Sequence, residues 1–273
     1  MNFLKQLFQN NYTSNHFFIL AGPCVVENKE VLFETAETLK NISEKYEIPL
    51  AFKASFEKAN RSSIHSFTGI GREKAKDLLL EVKNHFQVPI ITDIHTEEDA
   101  QFAAGFADIL QIPAFLCRQS SLLIAAANTG KVVNIKKGQF LAASSMQFAM
   151  EKVTTQGNEK VMATERGTFF GYSDLVVDYR GITEMKSFNK PVVMDCTHAL
   201  QQPNQSSGVT GGKPELIETI AKCAIVSGAD GLFIETHPDP SKALSDGANM
   251  LKLSDFEQLM KKLIPIRRAI LEE

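Results

Sequence analysis

The sequence predicts an α/β fold, a (β/α)8 TIM barrel formed by a single domain over residues 1–273. Eight short apolar runs alternate with longer amphipathic segments from one end of the chain to the other. The 273 residues suit the ~250 that such a barrel usually occupies. The first strand runs into AGPCVVEN, not into the GxGxxG loop that a doubly wound sheet would place there.

The strand candidates, in order, are 17–21, 49–53, 89–93, 107–112, 132–136, 160–164, 191–195 and 231–235, all rich in Val, Ile and Phe and often preceded by Pro or Gly. Helix periodicity follows the first of them. In 30–46, Val31, Leu32, Ala36, Leu39 and Ile42 recur at three- and four-residue spacing. Residues 72–86, 96–104, 119–129, 144–156, 213–227 and 254–271 show the same pattern, and Ser254 with Glu257 has the form of a capping box. Strands separated by helices pair in parallel through right-handed crossovers, which closes eight of them into a barrel.

Composition excludes several classes of function. Hydrophobic residues make up 44% of the chain, enough for a sizeable core, yet no run reaches the ~18–20 apolar residues of a membrane span. Lys5, Gln6 and Gln9 interrupt the first segment, so no secretory signal is expected there. With 29 basic and 32 acidic residues the net charge is −3, and no charged block points to nucleic acid or a membrane surface. Four cysteines do not make a disulfide framework, and the expected location is cytoplasmic.

In such a barrel the chemistry gathers at the carboxyl ends of the strands. Those ends carry Cys24; Lys53 and a loop with Lys58, Asn60, Arg61 and Ser62; Asp93 and His95; Gln111 followed by Arg118; Lys136; Arg166; His198; and Glu235 with His237. Two groups separate by chemistry. Lys53, Lys58, Arg61, Arg118, Lys136 and Arg166 place six cations on one face of an acidic protein, an arrangement that holds phosphate or carboxylate. Surface cations often do no more than solvate loops, but Lys53 and Lys136 end apolar strands, where an unpaired charge is costly. Cys24, His198, Glu235 and Asp246 come from strands one, seven and eight and the loop after strand eight, which are neighbours in a closed barrel. Thiolate, imidazole and two carboxylates suit a divalent transition ion of the Mn, Fe, Zn or Co type. Cys117, Cys196 and Cys223 read as small buried hydrophobes, although Cys196 lies at two-residue spacing from the candidate ligand His198. For His65, His85 and Asp99 no partner is evident.

The stretches AGPCVVE, FKASFEKANRSSIHSF, TDIHT, DILQIPAFLCRQS, NIKKGQFLA, ERGTFFGYSDLVVDYR, MDCTHALQQP and FIETHPDPSKALSDG together resemble the 3-deoxy-D-manno-octulosonate 8-phosphate synthases, over about residues 17–255. The resemblance implies a TIM barrel that condenses phosphoenolpyruvate with D-arabinose 5-phosphate and releases inorganic phosphate, for the inner core of lipopolysaccharide. Cys24 stands where the metal-independent branch carries Asn, so the resemblance is to the metal-dependent branch. It implies Cys24, His198, Glu235 and Asp246 as ligands, with Lys58, Lys136, Arg166 and Gln111 around phosphoenolpyruvate and Lys53 lining the same pocket; Asp93, at the end of strand three, is a further candidate for substrate binding. It further implies Asn60, Arg61 and Ser62 at the sugar phosphate, and Arg118 reaching the site of a neighbouring subunit in a homotetramer. Lys53, Lys58, His198 and Asp246 are the candidate catalytic residues. Two departures are Glu57 in place of Asp and an N-terminal cap that looks reduced.

The two substrates bring about four to five negative charges together, which explains the cation inventory. The metal would polarise the aldehyde, lower the pKa of a water or only orient the substrate. Three rival readings remain. A 3-deoxy-7-phosphoheptulonate synthase using erythrose 4-phosphate would carry a KPRTS-like segment where this chain has KANRSS. A Schiff-base aldolase would use Lys53 or Lys136 as nucleophile, and a silent sugar-phosphate binding module would release no phosphate.

Overall fold

A computed structural model describes residues 2–9, 12–13, 16–59, 66–169, 174–202 and 211–271. Its centre is a closed barrel of eight parallel strands. These are β1 (Phe18–Gly22), β2 (Leu50–Lys53), β3 (Ile90–Asp93), β4 (Ile109–Ile112), β5 (Val132–Lys136), β6 (Val161–Glu165), β7 (Val192–Asp195) and β8 (Gly231–His237). Strands adjacent in sequence pair in the sheet, and β8 closes onto β1 with Phe233 opposite Leu20. All eight expected strands are present, their ends moved by a residue or two.

Helix α1 (Asn2–Leu7) precedes the barrel. Around it stand α2 (Lys29–Tyr46), α3 (Arg72–Phe86), α4 (Glu97–Ala104), α5 (Ser120–Asn128), α6 (Met146–Thr154), α7 (Arg180–Lys186), α8 (Ile217–Val226) and α9 (Phe256–Leu271). Periodicity missed α7 because seven residues, of which only Gly181, Ile182 and Met185 are buried, are too short to display a stripe. The capping box expected at Ser254 is not formed. A 3-10 turn occupies Leu253–Asp255, Ser254 Oγ donates to the Asp255 carboxylate, and Glu257 is drawn off to Lys45 and Tyr46. A capping box does open α4, between Thr96 and Asp99.

Side chains alternate along each strand, so the core has two parts. One set, including Ile19, Phe52, Ile90, Leu110, Val133, Ala163 and Met194, packs outward against the helices. The other fills the barrel from below with Phe18, Leu20, Ala51, Ile91, Ile109, Val132, Met162, Val193 and Phe233. Helix α1 packs at the barrel floor, where its Leu4, with Phe8 and Tyr12 after it, joins this inner cluster beside Phe18. Gly231 makes room for that ring, since a Cβ there would lie 2.4 Å from Phe18. Two aspartates secure the barrel floor in the same way. Asp108 accepts from Ile90 N and Lys83 Nζ, and Asp230 from Val192 N and Lys186 Nζ, so each fastens the start of the preceding strand to the helix that leads into that strand.

Candidate active site

The inner face changes character two residues above the apolar floor. Ala51 is followed on that face by Lys53, Ile91 by Asp93, Ile109 by Gln111, Val132 by Asn134 and then Lys136, Met162 by Thr164, Val193 by Asp195, and Phe233 by Glu235. Every one of these polar residues is buried. Period-two geometry therefore gathers them into one layer at the carboxyl end of the barrel.

The layer is hydrogen-bonded throughout. Asp93 accepts from Ser55, Gln111 and Lys58; Gln111 accepts from Asn134 Nδ2 (2.9 Å), and Asn134 from Thr164 Oγ1 (2.7 Å). Lys53, only 1% exposed, reaches the Cys24 carbonyl at 3.0 Å, Glu235 Oε1 at 3.2 Å and Asp93 Oδ2 at 3.4 Å. Gly22 allows this approach, because a Cβ there would stand 2.2 Å from the Lys53 carbonyl oxygen. Lys136 donates to Asp195 Oδ2 at 2.7 Å and sits 3.7 Å from the centre of the Phe233 ring.

Burial alone would destabilise the charged forms of these groups, but their neighbours outweigh it. Burial pushes the Asp93 carboxyl up, yet Lys53, Lys58 and Lys136 hold it well below the usual carboxylate range. Burial pulls Lys58 down, while Cys24, Asp93, Glu235 and Asp246 together raise it well above an ordinary lysine. A depressed carboxylate contributes stability above its unfolded pKa of ~3.9 and loses it as pH falls through the folded value. Urea unfolding is therefore expected to show a steep fall in stability below about pH 4, and Asp93→Asn a shallower one. An unchanged acid slope in that variant would contradict the assignment.

Arg166 differs from the lysines. It is buried, its Nη2 donates to Gln201 Oε1 (2.6 Å), and its Nη1 has no hydrogen-bond partner among the described residues. No carboxylate among the described residues pairs with it, and burial lowers its pKa despite Asp195, Glu165 and Asp246 nearby. A buried guanidinium with a free nitrogen is an open seat for an anion.

The expected metal ligands converge in part as a tight set. Ligand atoms of Cys24, Glu235 and Asp246 lie within 4.8 Å of one another. The Cys24 thiol donates to Asp246 Oδ2 at 3.2 Å, with Ser245 Oγ at 2.8 Å. Asp246 adopts the left-handed region at φ 50, which Asp tolerates better than most residues. Its loop is tied down at Leu244, whose N donates to Glu27 Oε1 (2.8 Å). His198 lies next to this set, its Nε2 3.5 Å from Glu235 Oε2.

These residues fit a divalent ion. Asp195 accepts from His198 Nδ1 at 2.8 Å, which leaves the Nε2 lone pair facing Glu235. Glu235 Oε2 is itself buried without a hydrogen-bond partner among the described residues. Two facing acceptors repel unless a proton or cation lies between them. Burial, with Asp246 and Glu235, pushes the Cys24 thiol far up, and a bound ion would reverse that order by binding the thiolate.

Not every expected residue lies in this cluster. Asn60, Arg61, Ser62 and His65 lie outside the described residues. Arg118 is exposed on the turn before α5 and makes no ion pair with the described residues; its carbonyl accepts from Lys152 Nζ. His95 faces Asp99 at 3.7 Å, Asp99 also pairs with Arg72, and His85 packs edge-on against Phe86. Cys196 faces outward in the parity of Met194 and belongs to the core beneath the helices. Its two-residue spacing to His198 has no meaning, because β7 ends at Asp195 and His198 begins a 3-10 turn. Sequence reasoning missed Ser55, Asn134, Thr164 and, above all, Asp195. The last three share the parity of the inner apolar residues two positions earlier, a signal that was present in the strands.

Residues 11–272 match the DAHP synthetase I family. The chain belongs to that family. Similar proteins carry the name 2-dehydro-3-deoxyphosphooctonate aldolase. That of Brucella anthropi is 49% identical over 252 residues, covering 92% of this chain and 91% of its own. That of Brucella ovis is 49% identical over 250 residues, covering 92% and 90%, and that of Brucella abortus 48% over 250 residues with the same coverage. This member of the DAHP synthetase I family thus spans nearly the whole length of the relatives it matches.

Proposed function

We propose that the protein condenses phosphoenolpyruvate, D-arabinose 5-phosphate and water into 3-deoxy-D-manno-octulosonate 8-phosphate and inorganic phosphate, a step in making the lipopolysaccharide inner core. The observation that carries the reading is the unpartnered, buried Arg166 nitrogen within a layer that also holds Lys53, Lys58 and Lys136. Lys58, Lys136, Arg166 and Gln111 hold the phosphate and carboxylate of phosphoenolpyruvate. Asn60, Arg61 and Ser62 hold the sugar phosphate at the far end. Neutralising both anions lets C3 of phosphoenolpyruvate meet the aldehyde carbon of the sugar. A C–C bond forms there, water adds to the resulting cationic C2, and the hemiketal phosphate loses phosphate by C–O cleavage.

Cys24, His198, Glu235 and Asp246 would hold a divalent ion of the Mn, Fe, Zn or Co type. Such an ion supplies Lewis acidity toward the aldehyde oxygen or orients the sugar. Lys53 bridges Glu235 and Asp93 and neutralises both. Asp195 keeps the His198 proton on Nδ1. Lys53 and Lys136 are held by the buried carboxylates of Glu235 and Asp195, and borohydride added with substrate is expected to trap no adduct on either lysine.

The reading includes a homotetramer in which Arg118 reaches a neighbouring site. Exposed Phe115, Phe140 and Phe148, at 61%, 51% and 64%, favour an apolar contact on that rim. A cytoplasmic location goes with four unpaired cysteines, and no helix among the described residues is long and apolar enough to cross a membrane. The test is phosphate release from phosphoenolpyruvate with either arabinose 5-phosphate or erythrose 4-phosphate. Turnover is expected with the five-carbon sugar alone. Turnover with erythrose 4-phosphate alone would shift the assignment to the heptulosonate reaction.

A further inference from the structure

Two side chains assigned to different ligands share one carboxylate oxygen. Asp195 Oδ2 accepts from Lys136 Nζ at 2.7 Å and from His198 Nδ1 at 2.8 Å. The Oδ1 atom is fixed by His198 N (2.8 Å), Thr197 Oγ1 (3.1 Å) and Thr197 N (3.2 Å). The carboxylate is fully buried, so its two Oδ2 donors share its charge where water is excluded. Lys136 Nζ and His198 Nδ1 are themselves only 3.4 Å apart.

We propose that Asp195 is a positioning residue that couples the anion pocket to the metal site, so that phosphoenolpyruvate and a divalent ion each tighten the binding of the other. The inference rests on the substrate and metal reading above and adds a link between the two ligands. An anion on Lys136 draws the ammonium partly away from Asp195. The carboxylate then acts more fully on the His198 Nδ1–H, and Nε2 becomes a stronger donor to a cation. In the other direction, a cation at Nε2 polarises the ring, holds Asp195 more tightly and frees Lys136 for the substrate. Linkage requires the two effects to be equal.

The test is titration of the metal-stripped, full-length protein with Mn²⁺, following the resonance signal of the free ion, with and without phosphoenolpyruvate. In the native protein phosphoenolpyruvate is expected to tighten Mn²⁺ binding by about fivefold or more. In Asp195→Asn the ratio should fall toward one, with Mn²⁺ affinity itself lower by about 10- to 100-fold. Asp195→Glu, which keeps the charge, should recover part of the ratio, whereas a purely structural role would predict no such pattern. Thr197→Val, which removes one donor to Oδ1 and with it the acceptor for Glu235 N, should give an intermediate ratio and serves if Asp195→Asn does not fold. A ratio unchanged by these substitutions, or a ratio of one in the native protein with both ligands bound, overturns the coupling alone. Failure of the native protein to take up Mn²⁺ or phosphoenolpyruvate overturns the coupling together with the reading beneath it.

Discussion

Stripping divalent ions with a chelator is expected to reduce phosphate release from phosphoenolpyruvate and arabinose 5-phosphate to the background rate, with Mn²⁺ restoring it. The basis is the convergence of Cys24, Glu235 and Asp246 within 4.8 Å, with His198 Nε2 at 3.5 Å from a Glu235 oxygen that has no hydrogen-bond partner. Without a cation the thiol stays protonated beside Asp246 and Glu235, and His198 Nε2 and Glu235 Oε2 need a proton between them to avoid repulsion. Cys24→Ser removes the softest donor, and bound metal should weaken by at least about tenfold, ~1.4 kcal/mol. The measurement is metal content after dialysis alongside turnover. Undiminished turnover in stripped protein would remove the metal assignment and leave the substrate assignment standing. Equal metal content in Cys24→Ser would remove Cys24 from the ligand set.

Lys53→Met is expected to destabilise the fold by about 3–5 kcal/mol, the usual cost of taking one partner from a buried ion pair. Lys53 is the cation within 3.4 Å of both Glu235 and Asp93, and its ammonium also satisfies the Cys24 carbonyl. Asp93 keeps Lys58, Ser55 and Gln111 in the variant, so the loss falls mainly on Glu235. Saturating Mn²⁺ would give Glu235 a new counter-charge, and the deficit should then shrink, because a ligand of the folded state stabilises it. Urea unfolding with and without the ion measures both effects. A loss below about 1 kcal/mol would mean that Glu235 finds another partner or becomes protonated.

How far the sequence could be read depended on the kind of signal. The strands were legible because a parallel barrel strand is buried on both faces and reads as a short apolar run. Helix α7 was not legible, since seven residues display less than two turns of periodicity. Lys53, Lys136, Glu235 and Asp93 were visible as polar residues ending apolar runs, which is costly unless something pairs with them. Asp195 obeys the same rule but stands next to Cys196 and near His198, so its signal overlaps those of two stronger ligand types. The spacing of Cys196 to His198 misled because period-two reasoning holds only while the strand lasts, and β7 stops at Asp195.

The amino-acid order by itself determined the eight-strand barrel and the set of chemical groups at its carboxyl end. Both follow from local periodicity and from the cost of burying charge, and both can be summed along the chain. Tertiary structure alone decided the partners. Lys53 reaches Glu235 across 182 positions and Cys24 reaches Asp246 across 222. It also decided that one aspartate would serve two donors and that one Arg166 nitrogen would stand free. Such facts depend on barrel closure, where β8 returns to β1, and no local pattern encodes which distant side chains that closure brings within hydrogen-bond reach.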